Sequence, residues 1–331
     1  MTDSKFAPFQ PFTGVHCETV ATGTLLKAAG IEISEPMLFG LGEALGFVFL
    51  NLATLPLPFV GGRSKPFELT TRLCRNLGVP CRSTETKSRK KAWEQLEGEI
   101  SRGRPAGLQL DCYYLDYFKN APHFAGHFVA ACGMDASSVL LVDTAPQGSL
   151  QRVPRASLEA ARHATGPMSA SARMWVIEPP AGEVALGPAA HSAMRANAAV
   201  YLSPSFAGMS YLGIEKLAKS LPNWLKLATD PERDLPQAAM LMERAGTGGS
   251  LFRNLFRDFL AEAGGILPNL RSPIGTAHGL FAKAATEWRI VAELIERAGA
   301  DCKREHLENA AGRCRGIAAL ETSAMRVLAD I

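Results

Sequence analysis

Three residues of this sequence have the types and spacing that nucleophilic catalysis needs: a cysteine, a histidine and an aspartate. Cys17 follows Gly14-Val15-His16 and opens an apolar-periodic run that ends near Lys27 and Gly30, which predicts a helix beginning at the cysteine. The unpaired N–H groups and the positive dipole end of a helix stabilise a thiolate at that position. Cys17 is therefore the predicted nucleophile, provided that a histidine reaches it in the fold.

The histidine partner is expected in Pro122–Ala131, which carries His123 and His127. Their spacing would suit two metal ligands on one helical face, but Gly126 and the extended run after it favour a strand, so we expect no metal site. In a strand that begins at about His127, successive side chains alternate between faces and His123 is left on the preceding loop. His127 is the preferred partner for Cys17, and His123 is the alternative.

An aspartate ends the next predicted strand, Ser138 to Asp143. A hairpin from His127 to Asp143 has its midpoint at Asp135, in the predicted turn, so the start of one strand lies beside the end of the next. Asp143 would then orient the His127 imidazole, as the third member of a catalytic triad does. The alternative is an aspartate that only begins a turn before Pro146.

Other polar residues near these segments are candidates for supporting roles. The backbone N–H of Cys17 and one side chain, Gln10 or His16, would form an oxyanion hole. His16 would otherwise only pack or influence the neighbouring thiol. Asp111 is an acid within an apolar strand, and it either anchors a substrate amine or satisfies a turn at the end of the strand.

The order of the predicted elements indicates an α+β fold in two domains. Helices come first, and short strands separated by turn signals follow between Ala106 and Ile177, which predicts an antiparallel sheet. Glu178–Glu183 is a proline- and glycine-containing linker, and the sequence after it has helical periodicity throughout. We therefore predict a site-bearing domain over residues 1–180 and an all-α domain over residues 187–331.

The helical half contains a glycine-rich segment, Glu243–Arg253, that leads into a helix. Such a loop can bind an anion, for example the phosphate of phosphopantetheine, and Gly248 and Arg253 are the candidate binding residues. The segment lacks the Lys-Ser/Thr ending of a Walker loop, so nucleotide hydrolysis is not predicted. The alternative is a close helix–helix crossing that the glycines permit, and Arg253 suits either interpretation.

Composition narrows the class of protein. A net charge of +3 over 331 residues argues against a nucleic-acid partner, and the basic stretch Lys87–Lys91 is either a solvated helix start or a dock for an acidic partner or phosphate.

We expect no signal peptide, and the longest apolar stretch, Ala44–Val60, is too interrupted to span a membrane. Seven cysteines without CxxC spacing indicate reduced thiols and a cytoplasmic protein. The apolar helices of the second half would also suit a homodimer interface.

Several segments together resemble the butirosin biosynthesis protein H N-terminal family. In order along the chain they are Gly14–Glu18, Ser34–Gly42, Asp111–Leu115, His123–His127 and the following Asp143. The resemblance covers about residues 10–178. The second half is similar to the helical domain of unknown function that often follows this module, with Glu243–Arg253 as its marker.

The resemblance implies a papain-like fold, similar also to bacteriocin-processing peptidases, and an acyltransferase activity. The named member of the family moves an acyl chain from an acyl carrier protein thioester to an aminoglycoside amine. By this resemblance Cys17 is the nucleophile, His127 the base and Asp143 the orienting acid. Tyr114 and His123 are expected to join Asp111 in substrate binding.

The expected substrates follow from that chemistry. The donor is an acyl carrier protein or coenzyme A thioester, so a phosphopantetheine-linked thioester is a substrate and no cofactor is expected. The acceptor is a small molecule with an amine or a hydroxyl group, in secondary metabolism. A cysteine peptidase, amidohydrolase or thioesterase of the same fold is the alternative, and a non-catalytic peptidase-like binding module is another.

Overall fold

The computed structural model describes residues 10–52, 55–119 and 122–331, and these divide between two compact units. The first unit takes the described residues up to Leu38 together with Pro66–Val184, and the second takes Phe39–Lys65 together with Ala185–Ile331. The units differ from the predicted domain ranges chiefly in residues 39–65, which belong with the helical half of the chain.

The elements confirm the predicted α+β class, with 57% of the structure helical. In chain order they are α1 (Cys17–Ala28), α2 (Glu35–Leu41), β1 (Leu45–Leu50), β2 (Phe59–Arg63), α3 (Glu68–Leu77), β3 (Cys81–Thr84), α4 (Arg89–Ser101), β4 (Ala106–Leu110), β5 (His127–Met134), β6 (Ser138–Val142), β7 (Leu150–Pro154), α5 (Arg155–Arg162), β8 (Met174–Ile177), α6 (Leu186–Leu202), α7 (Ser210–Ser220), α8 (Trp224–Leu227), α9 (Pro231–Glu243), α10 (Arg253–Ile266), α11 (Arg271–Asp301) and α12 (Arg304–Ala329). Strands β3 to β8 form one antiparallel sheet in the order β3-β8-β4-β5-β6-β7, and β1 and β2 form a separate hairpin.

Helix α1 is the buried helix of the first unit. It begins at Cys17 as predicted, and every residue from Glu18 to Leu26 is buried, which is typical of a helix enclosed by its own core. Its end is a Schellman motif: Ile31 N–H donates to the Leu26 carbonyl at 2.9 Å, and Gly30 has φ +84°. The glycine is needed because a side chain strains this left-handed conformation.

A buried carboxylate on α1 caps the helix beside it. Glu18 Oε1 accepts hydrogen bonds from the backbone N–H and the hydroxyl of Thr70, each at 3.1 Å. Thr70 lies in the first turn of α3, and the N-cap residue of that helix, Phe67, has no side-chain oxygen to offer. The acid that follows Cys17 in the sequence therefore anchors α3 against α1.

The β5–β6 hairpin forms in the predicted region, but its register is not symmetric. The paired residues are Ala130 with Val142, Ala131 with Leu141, Gly133 with Leu140 and Met134 with Val139. One extra residue between Ala131 and Gly133 makes a β-bulge. Continuing the register beyond Val142 places Asp143 opposite Val129, on the same face as His127 but displaced along the strand. Asp143 therefore reaches His127 diagonally rather than from directly opposite.

The second unit combines the β1–β2 hairpin with helices. Phe47 and Phe49 of β1 belong to a buried apolar cluster that includes Trp224 of α8 and Trp288 of α11. The apolar stretch noted between Ala44 and Val60 thus supplies core strand residues. Among the described helices, none combines the length and apolar character that a membrane crossing requires.

Candidate active site

Cys17 is the first residue of α1, and its side chain interacts with His127, whose pKa it raises. The residue before it, His16, has extended backbone angles of φ −99° and ψ 125°, and its carbonyl accepts the first helical hydrogen bond from Val20 N–H at 2.9 Å. The thiol therefore sits where the N-terminal N–H groups and the helix dipole favour a negative charge. It is half-buried.

A carboxylate that sequence reasoning missed holds the loop in front of α1. Glu35, the first residue of α2, accepts hydrogen bonds from Val15 N–H at 3.0 Å and from His16 N–H at 2.9 Å. A Cβ at Gly14 would lie 2.7 Å from the Glu35 carboxyl carbon, so a larger residue there would displace the carboxylate from these hydrogen bonds. The family resemblance singled out Ser34–Gly42 without a role, and this contact supplies one.

His127 and Asp143 form a buried pair. His127 Nε2 lies 2.8 Å from Asp143 Oδ2, and the side chains are 8% and 0% exposed. Since Nε2 is engaged there, Nδ1 is the ring nitrogen left for Cys17. Burial opposes the charged ring, but the Asp143 carboxylate and then Cys17 outweigh it, so the pKa of His127 lies well above its ordinary 6.5. The thiol therefore lies beside a ring whose charged form is favoured.

Three donors surround the Asp143 carboxylate. Besides His127, the Tyr117 hydroxyl donates to Oδ2 at 2.6 Å and Thr144 N–H donates to Oδ1 at 2.6 Å. Burial raises the pKa of Asp143, but the charge of His127 and these hydrogen bonds prevail and hold that pKa below its ordinary value. The next residue after the tyrosine, Phe118, lies edge-on to the His127 ring with centroids 5.2 Å apart. The turn that carries Tyr117 and Phe118 thus supports the Asp143 carboxylate and covers the His127 imidazole.

A backbone contact joins the two loops of the site. Ala145 N–H, in the turn after Asp143, donates to the Gly14 carbonyl at 2.8 Å. The loop that leads into Cys17 and the loop that carries the aspartate are therefore fixed to one another. Sequence spacing carries no signal for this contact or for Tyr117, since both depend on how distant segments meet.

Tyr117→Phe should weaken the site without changing its shape. Because burial alone raises the pKa of Asp143, losing the hydroxyl should raise that pKa and loosen the hold of Asp143 on His127. We expect alkylation of Cys17 by iodoacetamide at mildly acidic pH to slow by about tenfold, which corresponds to about 1.4 kcal/mol. Tyr211→Phe, in the second unit, is the control. An unchanged alkylation rate in Tyr117→Phe would contradict the expectation.

Two protein-family models match the chain. Residues 16–144 match the family model described as butirosin biosynthesis protein H, N-terminal. Residues 156–328, more than half of the chain, match the model described as domain of unknown function (DUF4872). The chain belongs to the DUF4872 family, and the butirosin biosynthesis protein H N-terminal match precedes that region, in the order that the resemblance predicted. A comparison with curated proteins finds no match.

The butirosin biosynthesis protein H N-terminal match includes Cys17, His127 and Asp143. The family is papain-like and relates the chain to biosynthesis in secondary metabolism. The DUF4872 match begins within α5, so it includes strand β8 of the first unit as well as the helical half. The catalytic roles of the three residues stay a prediction.

Asp111 and His123 form a second histidine–aspartate pair in the butirosin biosynthesis protein H N-terminal region. Asp111 Oδ1 accepts from Tyr113 N–H at 3.0 Å and Phe124 N–H at 2.9 Å, and Oδ2 lies 2.8 Å from His123 Nδ1. These contacts are those of the turn alternative, and amine binding by Asp111 stays a prediction. Tyr114 lies edge-on to His123, with ring centroids 5.7 Å apart.

The two histidines of this region do not share a ligand site. His123 pairs with Asp111 and His127 pairs with Asp143. Within the described ranges, no three His, Cys, Asp or Glu side chains are grouped so that they could hold a metal ion.

The two candidates for oxyanion support are placed differently. His16 is 2% exposed at the N-cap of α1, and its backbone N–H is held by Glu35. Gln10 is exposed. Their contribution to an oxyanion hole stays a prediction.

Gly248 and Arg253 lie in the second unit, where the glycine-rich loop satisfies its own polar groups. The Gly248 carbonyl accepts from Asn254 Nδ2 at 2.9 Å, and Ser250 N–H donates to Glu243 Oε1 at 2.9 Å. Arg253, a predicted anion-binding residue, meets a carboxylate of the chain itself instead. It is fully buried, so its guanidinium is not open to a phosphate in solution.

The carboxylate of Glu321 accepts two hydrogen bonds from the Arg253 guanidinium. Arg253 Nε lies 2.8 Å from Oε1 and Nη2 lies 2.8 Å from Oε2. Trp288 Nε1 donates to Oε1 at 2.8 Å and the Tyr201 hydroxyl donates to Oε2 at 2.7 Å. This geometry gives Arg253 a structural role in the helical core.

Proposed function

We propose that this protein is a cysteine-dependent acyltransferase of secondary metabolism. It would move an acyl group from a carrier-protein or coenzyme A thioester to an amine or hydroxyl acceptor through an acyl-enzyme on Cys17. The observation that supports the proposal is the buried His127–Asp143 pair, 2.8 Å apart, whose imidazole interacts with Cys17 at the start of α1. A thiol, an oriented imidazole and a buried carboxylate are the groups that covalent acyl transfer uses.

In the first half-reaction the Cys17 thiolate attacks the thioester carbonyl. The Cys17 N–H at the helix start would donate to the resulting oxyanion, with Gln10 or His16 as the candidate second donor. Protonated His127 gives its proton to the departing thiol and becomes neutral. Asp143 holds the ring through Nε2 during this step.

In the second half-reaction the acceptor attacks the acyl-enzyme and neutral His127 takes its proton. Water as the acceptor would make the protein a thioesterase or amidohydrolase. A binding module of the same fold would leave Cys17 unreactive.

The basic stretch at the start of α4 is the candidate contact for an acidic carrier protein. Arg89 is paired with Glu159 at 2.6 Å, and Lys90 is 87% exposed with the Glu94 carboxylate 3.8 Å from its ammonium. Exposed lysines of this kind attract a negatively charged partner over about the Debye length of 8–10 Å.

The test is intact-protein mass spectrometry after incubation with a panel of acyl carrier protein and coenzyme A thioesters. Wild type should gain the mass of one acyl group, and Cys17→Ala should gain none. Cys302→Ala is the matched control, because Cys302 is an exposed cysteine in the second unit and reports uncatalysed exchange with the thioester.

The outcomes separate the proposed function from its alternatives. A gain that Cys302→Ala keeps and Cys17→Ala loses supports the acyltransferase, and its size identifies the acyl group. Release of free acid at the same rate with and without acceptor would favour a hydrolase. No adduct together with slow alkylation of Cys17 by iodoacetamide would favour the binding module.

A further inference from the structure

The hydrogen bonds described for the Glu35 carboxylate all go to the loop and first helical turn that carry Cys17. Val15 N–H donates to both carboxylate oxygens at 3.0 Å. His16 N–H donates to Oε1 at 2.9 Å, and the Thr19 hydroxyl lies 2.8 Å from the same oxygen. A carboxylate from α2 thus binds three donors on either side of the candidate nucleophile, and hydrogen bonds to a charged acceptor are stronger than neutral ones.

These contacts fix the peptide group that joins His16 to Cys17. Its carbonyl accepts from Val20 N–H at 2.9 Å and lies 2.8 Å from the Thr19 hydroxyl, the same hydroxyl that contacts Glu35. The N–H that precedes this peptide group, that of His16, is bound by Glu35. Because a peptide group is planar, holding its carbonyl and the atoms before it also sets the direction of the Cys17 N–H.

The Cys17 N–H is the first donor of this segment that is left for a ligand. The N–H groups of Val15 and His16 are taken by Glu35, whereas that of Cys17 has no acceptor among the residues that the structure describes. The thiol and this N–H belong to one residue at the start of a helix, so a carbonyl oxygen attacked by the thiol comes close to the N–H. Removing one donor of this kind typically costs about 10²–10³-fold in rate.

We propose that Glu35 is a positioning residue for acyl transfer, because it holds the Cys17 N–H where the oxyanion forms. As the Cys17 sulfur bonds to the thioester carbon, the π electrons of the carbonyl move to its oxygen, and the N–H donates to that oxygen. The electrons return when the bond to the departing thiol breaks, and that thiol takes its proton from His127. Thr19 assists by linking the carboxylate to the His16 carbonyl. This role rests on the proposed acyltransferase function.

Two reactions of the same thiol distinguish this role from support of the fold. Attack on a thioester produces an oxyanion. With iodoacetamide the Cys17 sulfur bonds to the methylene carbon and iodide leaves, so no oxyanion forms. The thiol lies on α1, whose residues from Glu18 to Leu26 are buried and hold the helix in place. Loss of the Glu35 carboxylate should therefore affect acylation much more than alkylation.

The test measures both rates for each variant, acylation by intact mass with the thioester that acylates wild type and alkylation with iodoacetamide in mild acid. We expect Glu35→Ala to slow acylation of Cys17 by about 100-fold and alkylation by no more than about threefold. In mild acid the thiol of an unfolded chain reacts slowly, so fast alkylation also shows that the site is folded.

Two further variants test whether hydrogen bonding is the cause. Glu35→Gln should acylate within about fivefold of the wild-type rate, because the amide oxygen can accept from the same N–H groups. Thr19→Val, which loses only the hydroxyl function, should show the same difference between the two reactions with a smaller loss of about tenfold.

Glu32→Ala is the matched control. Glu32 lies three residues before Glu35, its side chain is 78% exposed, and its carboxylate lies 3.3 Å from the Lys27 ammonium. An exposed ion pair of this kind contributes little to stability, so both rates should stay at their wild-type values.

Equal slowing of acylation and alkylation in Glu35→Ala would overturn the proposal, since Glu35 would then only keep the site folded. A Glu35→Gln variant as slow as Glu35→Ala would overturn it too, because restoring an acceptor would not restore the rate. Acylation of Glu35→Ala at the wild-type rate would overturn it while leaving the acyltransferase function intact. If no thioester acylates wild-type Cys17, the proposed function fails and this role fails with it.

Discussion

Asp143→Asn should slow acyl transfer by about 10²–10⁴-fold while leaving the protein folded. The asparagine keeps the shape of the side chain but removes the charge that raises the pKa of His127. Burial, which lowers that pKa, then prevails. His127 should become neutral at neutral pH, so the Cys17 thiolate loses its cationic partner.

The sign of the pH dependence distinguishes this effect from simple loss of structure. In wild type the imidazolium persists until the pH rises through the folded pKa of His127, which lies above 6.5, so alkylation of Cys17 should remain fast in mild acid. In Asp143→Asn the imidazolium is lost at a lower pH, and alkylation should become slow in mild acid and recover only as the pH rises. The measurement is the rate of iodoacetamide labelling between about pH 5 and 9.

Asp116→Asn is the matched control, because Asp116 is an exposed aspartate on the loop that carries Tyr117. It should leave the labelling profile unchanged. A wild-type profile in Asp143→Asn would show that the aspartate does not set the charge of His127, and the assignment of Asp143 as orienting acid would be abandoned.

Arg253→Met should destabilise the second unit by about 3–5 kcal/mol. Arg253 and Glu321 are both fully buried, so removing the guanidinium leaves a buried carboxylate with only Tyr201 and Trp288 as donors. The pKa of Arg253 shows the same coupling. Burial lowers this pKa, but the Glu321 carboxylate raises it by more, so the pair is stable in its charged form.

The prediction is checked by denaturant unfolding followed through tryptophan fluorescence, with hydrogen exchange of α12 to locate the change. The double variant Arg253→Met/Glu321→Gln should be destabilised by clearly less than the sum of the single variants, because it leaves no unpaired buried charge. Arg289→Met is the control, since its ion pair with Glu293 is largely exposed and should contribute no more than about 1 kcal/mol. Additive losses in the double variant would contradict a coupled buried pair.

Local signals in the sequence were sufficient for the main parts of the candidate site. The start of α1 at Cys17 and its end at Gly30 depend on apolar periodicity and a left-handed glycine, both readable within one turn of chain. Strand β5 begins at His127 as predicted, because strand alternation is also a local property. The contact between His127 and Asp143 was predicted because the two residues are equally far along the chain from the turn of one hairpin.

Other features depended on tertiary structure. The bulge between Ala131 and Gly133 changed the route by which Asp143 reaches His127, and a bulge leaves no mark in an apolar run. Arg253 has the sequence context of an anion site, yet folding places it in the core, where Glu321 reaches it from a helix many residues away.

The sequence by itself determined which residues could do chemistry and which secondary structure would carry each of them. Only the tertiary structure decided what surrounds them: Glu35 under the Cys17 loop, Tyr117 on Asp143 and an exposed His123 held by a buried acid. The physical reason is that capping and periodicity are set by neighbours in the chain. Burial, hydrogen-bond partners and therefore the pKa of each group are set by segments that meet only after folding.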